Sequence, residues 1–150
     1  MSLIDEVARI AGLIAERFPE AAVHQLEDPQ PHAANAFAIG LRSETRKYEA
    51  RGHTMIDRQY AITCYMATAK EALLAMETLS RLIMNESVPA PGDGEAPSPL
   101  RAEEFSYEGP SSASEGVASV TGTMRLQSRQ ARSALDVQKM NHVNVRTAYQ

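Results

Sequence analysis

The sequence predicts an α+β domain, with an antiparallel or mixed sheet of about four to five strands and two helices packed on one of its faces. A projecting β-hairpin and an extended C-terminal arm complete the expected architecture. Three observations lead to it. Two segments carry apolar residues at helical spacing. Several others alternate apolar and polar residues with the period of a strand. The order α-β-ββ-α-ββ-tail lets both helical stripes bury against the apolar strand faces of one sheet. With 150 residues the chain is long enough for one core. The expected domain spans 1–127, and the arm spans 128–150.

The first helix is expected at 3–18. Leu3, Ile4, Val7, Ile10, Ala11, Ile14 and Phe18 recur at spacings of three and four and build one stripe. Ser2 followed by Asp5 reads as a capping box in acidic form. Pro19 stops the helix, because proline removes a backbone donor and disfavours the α conformation before it. Residues 21–26 read as a short strand. The stretch from Glu27 to Asn35, with Pro29 and Pro31, reads as an irregular loop.

At 36–43 the alternation returns, with Phe37, Ile39 and Leu41 on one face. At 56–66 it appears again, with Ile56, Tyr60, Ile62, Cys64 and Met66 together. The polar stretch between them contains Gly52, which suggests a hairpin. If the strand pattern continues into that stretch, the hairpin tip projects beyond the core and is available to a neighbouring subunit. The competing reading is a disordered surface loop.

The second helix, 69–84, is the clearest element. Thr68 caps it, Glu71 follows three residues on, and Leu73, Met76, Leu79, Leu82 and Ile83 supply the stripe. Residues 88–99 lie in a run of prolines and glycines and read as a flexible loop. Residues 103–108 read as a short strand and 109–116 as a loop. A one-sided strand is expected at 117–127, with Ala118, Val120, Gly122, Met124 and Leu126 inward. From Ser128 the apolar residues are too irregular for a strong helix and too frequent for a purely solvated tail.

Composition narrows the function classes. Hydrophobic residues are 43% and charged residues 23%, which is globular rather than disordered. The net charge of −4 argues against a general nucleic-acid binder. The charge is uneven. Arg125, Arg129, Arg132, Lys139 and Arg146 face only Asp136 in the last segment, so that segment is +4 and residues 1–124 carry −8. An acidic body with a basic tail suits tail-to-body contacts between subunits, or simply a solvated tail. The hairpin segment carries Arg42, Arg46, Lys47, Arg51 and Arg58 against Glu44, Glu49 and Asp57, with Tyr48 its only aromatic. Mixed signs of this kind form ion pairs between subunits or a solvated face. No apolar run approaches the roughly 18 residues of a membrane span, and no secretory leader is legible.

The motifs of common chemistry are not in the sequence. The four histidines lack metal-ligand spacing, and there is no phosphate-binding glycine pattern. Cys64, on the apolar side of a central strand, reads as a core residue rather than a nucleophile. Glu103 and Glu104, adjacent on a strand, are expected on opposite faces. No catalytic, cofactor-binding or metal-ligating residue is expected.

Four regions resemble a known family. The helix from Ile10 ends in E-R-F-P-E at Glu20, followed by a strand containing Val23. An acidic, proline-bearing loop from Glu27 to Pro31 leads to A-F-A-I-G-L at Ala36–Leu41. A polar connection enters R-Q-Y-A-I-T-C-Y-M at Arg58–Met66. The strand Gly116–Leu126 leads to a tail with Met140. This layout resembles the tail terminator, or tail completion, proteins of tailed bacteriophages, closest to those of contractile tails. The long Pro-rich loop and the acidic-to-basic shift have no counterpart in that pattern.

The resemblance implies a virion protein of the tail and neck, assembled in the host cytoplasm. It implies a homo-oligomeric ring, usually a hexamer, that caps the tail tube and halts its growth. The tail tube protein, a neck or head-completion protein and the sheath protein are the implied partners. DNA would pass through the lumen without specific reading. Under this reading Arg42, Arg46, Lys47, Tyr48, Arg51, Arg129, Arg132 and Met140 are the expected subunit or ring contacts. A head-closure protein is the nearest alternative; a small intracellular enzyme or ligand-binding domain is the alternative from another class.

Overall fold

A computed structural model describes residues 2–49, 52–85 and 101–131. The expected Pro-rich loop at 88–99, Arg51, and the expected arm from Arg132 through Met140 to the end lie outside the described residues.

Helix α1 is Leu3–Arg17. Its N-terminus is the predicted capping box: the Asp5 amide donates to Ser2 Oγ at 3.1 Å and the Ser2 amide donates to Asp5 Oδ2 at 3.4 Å. These contacts satisfy donors that the first turn leaves without helical partners. The helix ends at Phe18, before Pro19, with the Phe18 amide donating to Ile14 O. The stripe departs from expectation. Ile4 is 60% exposed, while Leu13 and the charged Glu6 and Arg9 are buried. Helix α2, Ala69–Asn85, starts as predicted, with the Glu71 amide donating to Thr68 Oγ1 at 3.2 Å.

The strands are β1 (Ala22–Gln25), β2 (Ala36–Glu49), β3 (His53–Met66), β4 (Ala102–Tyr107), β5 (Ser111–Ser114) and β6 (Val117–Ala131). They form a six-stranded mixed sheet in the order β1-β2-β3-β6-β4, with β5 following β4 along the same side of β6. Only the β1–β2 pair is parallel. Residues 109–116 are therefore not wholly a loop. Serine-rich β5 has little strand preference of its own and is formed by pairing with β6.

Both helices lie on one face of the sheet, as predicted. Val7, Ile10 and Ile14 of α1 and Met76, Leu79 and Ile83 of α2 pack against Phe37, Ile39, Tyr60, Ile62, Val120 and Met124. Each such side chain, taken fully from water, contributes about 1.5–3 kcal/mol before entropy is charged against it. Gly122 leaves the space into which Phe105 and Met76 pack. The other face carries a smaller apolar cluster of Ala36, Ala38 and Tyr65, flanked by Ala113 and Val117.

β2, β3 and β6 outrun the helices. β3 pairs with β2 as far as His53–Glu49 and with β6 as far as His53–Ala131. The expected hairpin is thus the front of a three-stranded ribbon. β6 continues through Ser128 to Ala131, past the point where its apolar alternation ends, because β3 supplies backbone partners that the side-chain pattern does not reveal. A register shift between Leu41 and Ser43 places a bulge at Arg42. The extra residue reverses the strand's facing. Before it, Phe37 and Ile39 face the helices; after it, Glu44, Arg46 and Tyr48 lie on that side.

Candidate assembly surface

The ribbon is anchored at its root by buried charge. Arg58 stands on β3 between Ile56 and Tyr60, on the helix side, and is 3% exposed. Its Nη1 lies 3.1 Å from Glu6 Oε1 on α1, and its Nε donates to Glu44 Oε1 on β2. The Tyr60 hydroxyl donates to the same Glu6 oxygen at 2.6 Å. Burial, reinforced by the Glu6 carboxylate, pushes the Tyr60 phenol far above its ordinary pKa, so it remains a donor. Burial opposes the charge on Arg58, but its hydrogen bonds to Glu44 and Glu6 outweigh that and hold it charged. One guanidinium therefore joins α1, β2 and β3.

The opposite face of the ribbon has its own pairs. Arg125 on β6 reaches Asp57 on β3 with Nε at 2.9 Å and Nη2 at 2.6 Å from Oδ2. That fork holds the Asp57 carboxyl below the usual range. Further out, Arg129 crosses β3 to Glu49 at 2.9 Å. The mixed charges of the hairpin are thus matched in large part within one chain. Arg129, an expected subunit contact, is engaged at home.

The remaining expected contacts cluster. Arg42, Arg46, Lys47 and Tyr48 all lie exposed on the distal half of β2. Among the described residues, β1 covers the outer side of β2 only from Ala36 to Ile39. From Arg42 to Tyr48 the outer backbone edge therefore has no described strand beside it. Arg46 shares Glu44 at 3.3 Å, and Tyr48 is 66% exposed. Arg51, Arg132 and Met140 lie outside the described residues.

Two further features were candidates for chemistry. A shallow concavity of about 540 Å³ lies on the sheet face away from the helices, lined by Arg42, Gln59, Glu104, Thr121, Thr123 and Arg125. Its polar, open wall lacks the apolar enclosure typical of small-molecule sites. Glu104 borders it, and Glu103 sits at a β4 register shift. Both carboxylates act electrostatically on Arg125.

The second feature brings Ser114, His32 and Asp28 together. Ser114 Oγ is 3.3 Å from His32 Nδ1, and His32 Nε2 is 3.2 Å from Asp28 Oδ1. The latter contact lacks hydrogen-bond geometry, and Nε2 has no hydrogen-bond partner among the described residues. Ser114 Oγ also accepts from the His32 amide, Tyr65 donates to Asp28 at 2.8 Å, and the His32 ring stacks on Tyr65 at 4.3 Å. These side chains engage one another and staple the β1–β2 connection onto the sheet. Cys64 is buried in the core, and burial pushes its thiol up to about 12, which keeps it unreactive at neutral pH.

The Glu6–Arg58 anchor was not among the features expected from the sequence. The signal was present: each is a charged residue at an apolar-face position, Glu6 beside Val7 and Ile10, Arg58 between Ile56 and Tyr60.

No family model matches the chain, and no curated protein matches it. Among solved structures it is similar to a chain of the virion of a native gene transfer agent particle, with a TM-score of 0.50 and 13% sequence identity. The match covers 86% of this chain and 100% of that one, and at this identity it is a likeness of fold.

Proposed function

We propose that this chain is a structural protein of a phage-like virion and acts as a tail terminator. Copies form a ring of about six subunits on the finished tail tube, stop its growth and offer the attachment surface for neck proteins. The observation that carries this reading is the projecting ribbon. Its outer β2 edge presents exposed backbone and basic side chains beyond the span covered by β1. A strand edge left open on a rigid, internally ion-paired ribbon is suited to a partner subunit. The fold shared with a chain of a gene transfer agent virion supports the virion class, and the terminator role rests on the resemblance read in the sequence.

The mechanism is geometric. Heterologous contacts close into a ring when the rotation between neighbours permits it. One ring face copies the tube's own contacts and the other does not, so addition ends there. Catalysis has no part in this role. The test combines light scattering with microscopy of polymerising tubes. A species near six times the 16.4 kDa chain mass, and tubes that stop at defined length when the protein is added, are the expected results. Tubes that grow unchanged in its presence, with the protein bound instead at the head vertex, favour a head-closure role.

A further inference from the structure

The ribbon edge and the far edge of the sheet carry opposite charge. On β2, Arg42, Arg46 and Lys47 face two acids, and both acids are engaged within the chain: Glu44 by buried Arg58, Glu49 by Arg129. The accessible character of that edge is basic. β4 and β5 form the other edge of the same sheet. There Glu103, Glu104, Glu108 and Glu115 are exposed, with no base between Ala102 and Gly116. None of these four makes an ion pair among the described residues. Glu103 and Glu104 act electrostatically on Arg125, which gives its hydrogen bonds to Asp57. Each edge also presents an exposed tyrosine, Tyr48 at 66% on one and Tyr107 at 40% on the other.

We propose that the basic β2 edge of one copy docks against the acidic β4–β5 edge of a second copy, a head-to-tail contact that rests on the ring reading above and names its interface. Every copy carries both halves, one at each edge of its sheet, which is the arrangement a cyclic assembly requires. A two-fold contact of β2 with β2 sets like charges together. The acidic edge is unsuited to simple strand addition, because a register shift at Ala102–Glu104 and the Gly109-Pro110 break interrupt it. The contact is therefore made chiefly by side chains. It weakens with salt, since the screening length is about 10 Å at 0.1 M and shorter above.

The test uses the full chain and light scattering at low and high salt. One variant carries Arg46→Glu with Lys47→Glu; the other carries Glu103→Lys with Glu104→Lys. The wild type is expected to assemble at low salt and to lose mass at high salt. Each variant alone is expected to remain at the 16.4 kDa chain mass, because its two edges now carry the same sign. An equal mixture of the two is expected to assemble again, which also shows that both are folded. Variants that assemble like the wild type overturn this interface and leave the ring standing. A mixture that stays unassembled overturns the edge-to-edge pairing. A wild type that never exceeds one chain overturns the second copy as the occupant, and tube capping is then judged by microscopy alone.

Discussion

At Gly122 the absence of a side chain is a packing requirement. A Cβ built there meets Phe105 Cζ at 2.7 Å and Met76 Sδ at 3.0 Å. Gly122→Ala therefore forces the ring and the thioether apart, and overpacking of this kind costs about 1–3 kcal/mol. Urea denaturation should show the loss. Combining it with Phe105→Leu should recover part of it, and strict additivity of the two changes would contradict the close contact. Arg58 is the second sensitive residue. Replacing it with Met strands the buried Glu6 carboxylate, at a cost of about 3–5 kcal/mol. Changing Glu6 to Gln as well should restore stability relative to Arg58→Met alone. A double variant no more stable than the single one would argue that the guanidinium matters for packing rather than for charge.

The ribbon is where element-scale forces differ from those of the core. Its distal part is fastened by cross-strand ion pairs more than by apolar contact. Asp57 is the informative group, because the Arg125 hydrogen bonds lower its folded pKa. A depressed carboxylate contributes stability above its unfolded pKa, near 3.8, and loses it as pH falls through the folded value. Asp57→Asn should therefore be less stable than wild type at neutral pH, and the gap should close below about pH 3.8. A gap that persists unchanged to about pH 2 would show that the carboxylate charge is not its source. The hairpin front of this element was legible from two alternating segments around Gly52. Its third strand was not, because Ser128 to Ala131 show no apolar alternation and owe their conformation to pairing with β3.

Across the whole molecule, protection from solvent should follow sheet position. β3 is paired on both sides along its length, whereas β2 beyond Ile39 is paired on one side only among the described residues. Amide hydrogen exchange should be slowest in β3 and faster in the outward amides of Arg42–Tyr48. Self-association should slow exchange on that edge. Equal protection of the two strands in the dispersed chain would mean that the edge is already covered.

The sequence by itself determined both helices, most of the strands and the sidedness of the core. These follow from local periodicity, caps and prolines, which act over a few residues. A polar stretch between two apolar strands has little to bury, and Arg42, Arg46 and Lys47 are exposed as that pattern implies, whereas Arg58 of the same stretch is buried. Only the tertiary structure decided which charges meet. The Glu6–Arg58, Asp57–Arg125 and Glu49–Arg129 pairs join residues remote in the chain. The reversal of facing at Arg42 and the pairing of β5 with β6 belong to the same class. Register is set between strands, and no single strand's pattern records a bulge or a partner. For that reason the basic and acidic edges could be placed on opposite sides of one sheet only after the strand order was known.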